Sequence, residues 1–376
     1  MATTSKSPRK ILIEAHAVAA AAIPAYAHRF SPKVFTRHQV FACLVLKAAL
    51  KLDYRGVAAL LGDCPELRAA IGMRRAPHFT TLQKAAATLL AAEATTPLLD
   101  ATVARSMGRR RRVGTVAADG TGFESRHVSA HSLKRTGREG MRTRRHTRYP
   151  KLDIVCDCAT HLILSASAGQ GPKPEVAGFP KLVRAAARRA RITRLAADAG
   201  FDSEPNHALA RDELKIRTTI PPTRGRPSQA PPTGRYRRLM KRRFNRRVYR
   251  RRWQVETVFS SMKRRQGSAA RGRSYWARCR DLWLAVLTHN IMLLWRALRG
   301  FLQSKLTPFI PPFIPFLLYV QRFRHQRTQP VTRMAPPRIM PKSLRRAVQS
   351  VGGTETGVSC CETLVFAIGS PPLGTS

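Results

Sequence analysis

The chain has 376 residues, 43% of them apolar, enough for one large or two ordinary domains with a real core. Sixty-eight Lys plus Arg stand against 21 Asp plus Glu, a formal charge of +47 whose field selects polyanions, nucleic acid ahead of anionic membrane. Seven cysteines, an odd number without a C-x-x-C pair, fit a reducing compartment and weigh against a disulfide framework or a zinc site.

The N-terminus imitates an export signal: Lys6 to Lys10 is basic, Ile11 to Ala27 largely apolar, and Ala25-Tyr26-Ala27 resembles a cleavage site. Glu14, His16 and Pro24 interrupt that run, and the expectation is a chain that is not exported. Thr36 can cap a helix with apolar positions at Val40, Phe41, Leu44, Val45 and Ala48, and helical spacing resumes at Val57, Leu60 and Leu61. A further helix is expected from Thr80 or Thr81 to Ala92. A helix-turn-helix is one reading of this region, although no turn signature decides it.

From Val113 the pattern turns to strands. Val113 to Ala118, Leu152 to Cys158 and Leu162 to Ser167 read as β-runs, the last two joined as a hairpin through Ala159-Thr160-His161. Glu175 to Ala190 is helical in composition, Ile192 to Ala197 a strand, Glu204 to Leu214 a helix and Ile216 to Ile220 a strand. The order implies an α/β fold, a mixed sheet covered by helices. Residues 223–252 then form a basic segment without an acid, carrying among others Arg224, Arg226, Lys241, Arg242, Arg243, Arg246 and Arg247. Its Pro-rich first half is expected to be mobile until phosphate neutralises it, and its second half leads into a helix bearing Glu256. Another apolar helix is expected from Cys279 to Leu298. Beyond Gly300 periodicity is lost; Leu306 to Val320 is shorter than the roughly 20 residues that span a bilayer and is broken by prolines, so it reads as a tail and not an anchor.

Acids are scarce, so their positions carry weight. Asp119 and Asp198 each end a predicted strand and precede glycine-containing turns, where functional groups of open α/β sheets collect. On an α-helix Tyr249, Arg252, Glu256 and Lys263 fall in a sector of roughly 60° beside an apolar face of Val255, Val258, Phe259 and Met262. Taken alone, such a pattern is more often a solvated helix with i,i+4 ion pairs. If the two strands are neighbours, Asp119, Asp198 and Glu256 can form a three-carboxylate site suited to hard divalent cations and phosphoryl transfer. Asp202 with Ser203 reads as a helix cap, Asp153 and Asp157 as strand surface acids, and His127, His131, His146 and His161 as loop or surface residues. Arg109 to Arg112 reads most simply as a solvated basic run and secondarily as a DNA contact.

The spacing of Tyr249, Arg252, Glu256 and Lys263 resembles the Y-x2-R-x3-E-x6-K signature of bacterial insertion-sequence transposases of the DDE type. Asp119-Gly120-Thr121 is similar to their first catalytic motif, and Asp198 to Asp202 to the second, with Phe201 where Tyr is usual. The resemblance covers about Gly114 to Trp295. It implies a ribonuclease H-like catalytic domain at 106–299; helical spacing places a helical DNA-binding domain at 1–105 before it, and the loss of periodicity a largely disordered Pro-rich basic tail at 300–376 after it. It further implies two Mg2+ or Mn2+ ions on Asp119, Asp198 and Glu256, with DNA contacts from Tyr249, Arg252 and Lys263, to which the cation run Lys241, Arg242, Arg243, Arg246 and Arg247 adds. The implied activity is metal-dependent cleavage at inverted repeats of double-stranded DNA and transfer of the 3′-hydroxyl end to target DNA, by a homodimer in the cytoplasm, associated with the nucleoid and not with membrane. The competing readings are a catalytically inactive DNA-binding repressor and a metal-dependent nuclease without strand transfer.

Overall fold

The computed structural model describes residues 4–108, 111–125, 148–222 and 232–306, with residues 295–306 as helix backbone alone. The expectations for Arg109 and Arg110, for His127, His131 and His146, for 223–231 and for the tail beyond residue 306 lie outside these.

Six helices come first: α1 (Pro8–Ala22), α2 (Arg37–Ala49), α3 (Tyr54–Asp63), α4 (Pro65–Ala69), α5 (Phe79–Leu89) and α6 (Ala92–Met107). Local chemistry starts several of them. The Ser7 hydroxyl accepts from the Lys10 N–H ahead of α1, Thr36 and Gln39 form a reciprocal capping box on α2, and the Asp53 carboxylate accepts from the Gly56 N–H on α3. The apolar stretch that imitates an export signal is a core helix, with Ile11, Leu12, Ala15, Val18 and Ala19 buried. Helix α6 was not anticipated: the alanine-rich run breaks at Leu90 and Ala91, and a new helix begins at Ala92, where the preceding one was expected to end.

The main sheet has strands β1 (Arg112–Gly122), β3 (Tyr149–Asp157), β4 (Ile163–Gly171), β5 (Arg191–Ala197) and β6 (Arg217–Thr219), in the order β4-β3-β1-β5-β6. β1 runs antiparallel to β3, β3 antiparallel to β4, and β5 and β6 continue parallel to β1. This mixed sheet flanked by helices is the ribonuclease H-like arrangement. A separate short parallel pair joins β2 (Glu124–Ser125) to β7 (Ala269–Ala270). The β3–β4 turn is closed by Asp157, which is buried and not on the surface. Its carboxylate accepts from the Ala159 and Thr160 N–H groups and the Thr160 hydroxyl, while His161 turns through φ +65°.

Remaining helices are α7 (Phe179–Arg189), α8 (Glu204–Ala208), α9 (Arg235–Arg242), α10 (Arg246–Tyr249), α11 (Trp253–Gln266) and α12 (Tyr275–Leu306). The helix expected at 204–214 is α8 followed by a π-turn at Leu209–Glu213, and α12 is longer at both ends than its apolar run. Among the described residues no helix is long and apolar enough to cross a membrane.

Strand alternation sorts side chains onto two cores. Ala117, Leu152, Ile154 and Cys156 join the N-terminal helices, α11 and α12; Val116, Ala118 and Val155 join α7 and the strands beyond it. Asp119 has the parity of Ala117, so its side chain emerges on the face that α11 covers. That parity is why a residue of β1 can meet residues more than a hundred positions later.

Candidate active site

The register pairs Ala118 of β1 with Ala197 of β5, so Asp119 and Asp198 stand one residue further along adjacent parallel strands. The Asp119 carboxylate accepts from the Gly120 N–H at 2.8 Å. Burial pushes its pKa up to about 6: the Gly120 N–H and Arg252 oppose the rise, and the charges of Glu175 and Asp198 add to it. An acid so placed is electrostatically strained and would be relieved by a cation.

That cation is Arg252. Its Nη1 donates to Asp119 Oδ2 at 2.7 Å and its Nη2 to Glu256 Oε1 at 2.9 Å. Burial works against the guanidinium charge, but Asp119, Tyr249, Glu256 and Asp198 outweigh it and raise its pKa. The two bonds are unequal. Asp119 and Arg252 each keep 16% side-chain exposure, whereas Glu256 keeps 51%, so the Glu256 link is the screened and weaker one. The i,i+4 ion pair that the sequence pattern allowed therefore exists, and it ties up the third acid. Among the described residues no three His, Cys, Asp or Glu side chains are grouped closely enough to hold a metal ion.

Tyr249, Arg252, Glu256 and Lys263 do not lie on one continuous α-helix. α10 ends at Tyr249, the three arginines Arg250–Arg252 make a 3-10 turn, and α11 starts at Trp253. They converge nonetheless. The Arg252 guanidinium lies over the Tyr249 ring at 5.9 Å, and burial together with the nearby Asp198 charge raises the phenol's pKa against the pull of Arg252. The Lys263 Nζ donates to the Thr121 hydroxyl at 2.8 Å, just past Asp119 on β1. Lys241, Arg242, Arg243, Arg246 and Arg247 are all exposed on the approach to Tyr249.

This approach is anchored by acids that the sequence reading cast otherwise. Ser203 caps α8, accepting from the Asn206 N–H, while Asp202 accepts from Arg237 Nε at 2.9 Å. The Glu204 carboxylate accepts the Tyr236 and Arg237 N–H groups at the start of α9, a side chain from another helix satisfying groups left free at a helix N-terminus.

A second acid–base group flanks the same edge on the opposite face of the sheet. The Lys151 ammonium lies 3.1 Å from Glu175 and 3.4 Å from Asp153; burial opposes its charge and these acids restore it, leaving its pKa raised. Glu175 was read as the start of a helix. It follows the end of β4, the same signal that singled out Asp119 and Asp198, but α7 begins only at Phe179. This group explains Gly120: a Cβ there would meet the carboxylate of Asp153 and lie 2.6 Å from Glu175 Oε1. Gly120→Ala is expected to destabilise the protein by about 1–3 kcal/mol, the usual range for overpacking, read as a lower urea midpoint at unchanged slope.

Residues 113–291 match the family model described as the transposase DDE domain, and no curated protein matches the chain. The matched span runs from β1 into α12 and so takes in nearly the whole main sheet, Asp119 within β1, Asp198 just past β5 and all of α11. Over residues 113–291, therefore, the chain is similar to the transposase DDE domain family.

Proposed function

We propose that the protein is a DNA transposase that binds the terminal inverted repeats of its element, hydrolyses DNA there with divalent metal, and joins the freed 3′-hydroxyl to target DNA. The observation that supports it most is the placing of Asp119 and Asp198 side by side on adjacent parallel strands, with Arg252 joining Asp119 to Glu256 and Lys263 reaching Thr121. The donors are carboxylate oxygens, the set that hard divalent ions prefer, and Asp119 is held against repulsion from Asp198. Asp119, Asp198 and Glu256 would hold two Mg2+ or Mn2+ ions, which when bound supply Lewis acidity at the scissile phosphate.

Arg252 serves two anions in turn. In the free protein it neutralises Asp119 and Glu256; on DNA a phosphate becomes its partner and both carboxylates are released. Glu256 lets go first because its bond is half-exposed. Tyr249 steadies Asp198 through its hydroxyl, and Lys263 offers its ammonium to a phosphate near Thr121. The exposed cations of α9 and α10 carry the flanking duplex, and a homodimer brings two element ends together. No covalent enzyme intermediate is required, because the water and then the 3′-hydroxyl are themselves the nucleophiles.

The test is incubation of the protein and Mg2+ with a duplex carrying the element's flanking repeats. The unmodified protein is expected to cut at the repeat ends, while Asp198→Ala and Glu256→Ala bind without cutting. Cleavage that survives either substitution removes that acid from the site. Binding without cleavage by the unmodified protein supports a repressor, and cleavage without joining a nuclease. Arg252→Ala is expected to weaken end binding and to flatten the slope of log affinity against log salt by about 0.9, one phosphate contact. An unchanged slope rules out the phosphate role.

A further inference from the structure

The opposite edge of the sheet carries its own concentration of charge. Arg112 and Arg191 pair across the parallel strands β1 and β5 at their amino ends. At about 3.3 Å per residue, the stretch of β1 from Arg112 to Asp119 holds this edge roughly 23 Å from the carboxylates. An open cleft of about 810 Å³ lies here, lined by Arg111, Arg112, Arg188, Arg191 and Lys215, all of them exposed.

Ordinary surface arginines find carboxylates, and the other charged groups of this wall have done so. Arg189 is paired with Asp100, and Glu213, the acid of the cleft, with Arg184 at 2.9 Å. Among the described residues none of the five exposed cations has a carboxylate within ion-pair distance. Lys215 is also held at φ +58°, a left-handed position just past a helical turn that glycine or asparagine adopts more easily. Five like charges around one concavity repel one another, and an anion with several negative groups removes that penalty. The wall contains no aromatic side chain on which an unpaired base could stack.

The geometry points to this cleft as a second nucleic-acid site, which takes backbone phosphates of duplex DNA at a distance from the carboxylates and without metal. The inference rests on the reading of the chain as a DNA-binding protein and is independent of its chemistry. Readout there is blind to sequence, since phosphates and not base edges are contacted. A duplex segment other than the one at Asp119 is its natural occupant.

Lysine acetylation of the full chain, with and without a saturating metal-free duplex, locates the contact. Lys215 is expected to be protected several-fold by DNA, and Lys263 at the other edge as well. Protection of Lys263 with Lys215 unchanged overturns the cleft and leaves the proposed function standing; the reverse pattern keeps the cleft and counts against the carboxylate edge as a DNA site. Protection of neither defeats both. The triple substitution Arg188→Ala, Arg191→Ala and Lys215→Ala, with circular dichroism matching the unmodified protein, is expected to flatten the salt slope by about 2 to 3. An unchanged slope also overturns the cleft.

Discussion

Asp119→Asn is expected to lower DNA cleavage by about 10³-fold or more and, in the absence of metal, to raise the melting temperature above pH 6. The first effect follows from removing an anionic ligand: several kcal/mol of charge stabilisation at the phosphate, at about 1.4 kcal/mol per tenfold, is lost. The second follows from burial. The Asp119 pKa is raised from 3.8 to about 6, so between those values the folded protein holds a proton that the unfolded chain releases. That stabilising contribution is complete below about pH 4 and is lost as pH rises through about 6. Asparagine does not ionise, accepts the same hydrogen bond from Gly120, and escapes the loss. The bond to Arg252 does not reverse the sign, because the upward shift already includes its opposing pull. Melting curves at pH 4 and pH 8 decide the matter: a variant no more stable than the unmodified protein at pH 8 would show that burial does not dominate at Asp119. A gain in stability together with a loss of cleavage would mark Asp119 as a group kept at the expense of the fold.

The strands, their order of appearance and Asp198 just past the end of β5 were legible because they depend on local properties: β-branched runs, turn residues and an acid at a boundary. β1 instead runs on through Asp119 to Gly122, because pairing with β3 carries it across the glycines. The parity that sends Asp119 toward α11 is equally local, since alternation along β1 fixes it once the buried residues are known. What Arg252 does was not legible. Its i,i+4 pairing with Glu256 is visible in the spacing, but its stronger bond joins residues 133 positions apart and exists only after β1 and α11 have packed. Asp202 and Asp157 were misread for the same reason. Each looks like a local turn or surface acid, yet the partner of Asp202 is Arg237, and Asp157 is buried beneath the hairpin it closes. Helix α6 escaped because an alanine-rich run shows no amphipathic stripe strong enough to mark where one helix stops and the next begins.

Asn290→Leu is expected to destabilise the protein by about 3 kcal/mol or more, although position 290 lies in an apolar helix and leucine has the same branched heavy-atom skeleton. β4 is the edge of the main sheet, and an edge strand leaves one row of backbone groups without a partner. At Ile163 that partner is the fully buried side chain of Asn290. Its Oδ1 accepts the Ile163 N–H at 2.9 Å, and its Nδ2 donates to the Ile163 carbonyl at 2.9 Å, as a further strand would. The same Nδ2 reaches the Thr102 hydroxyl of α6 at 3.1 Å, so one amide joins the sheet edge, α12 and the N-terminal helices. Leucine leaves a buried N–H and a buried carbonyl unmatched, each worth about 1–3 kcal/mol. Thr102→Val removes the bond from Asn290 and the hydroxyl's own bond to the Leu99 carbonyl, leaves both Ile163 groups matched, and is expected to lose only about 1 kcal/mol. Urea titrations of both single variants and the double variant form a cycle. Coupling between positions 102 and 290 is expected, since they share a hydrogen bond. Strict additivity, or a loss at Asn290→Leu no larger than at Thr102→Val, would show that the edge of β4 is held by apolar packing and not by this amide.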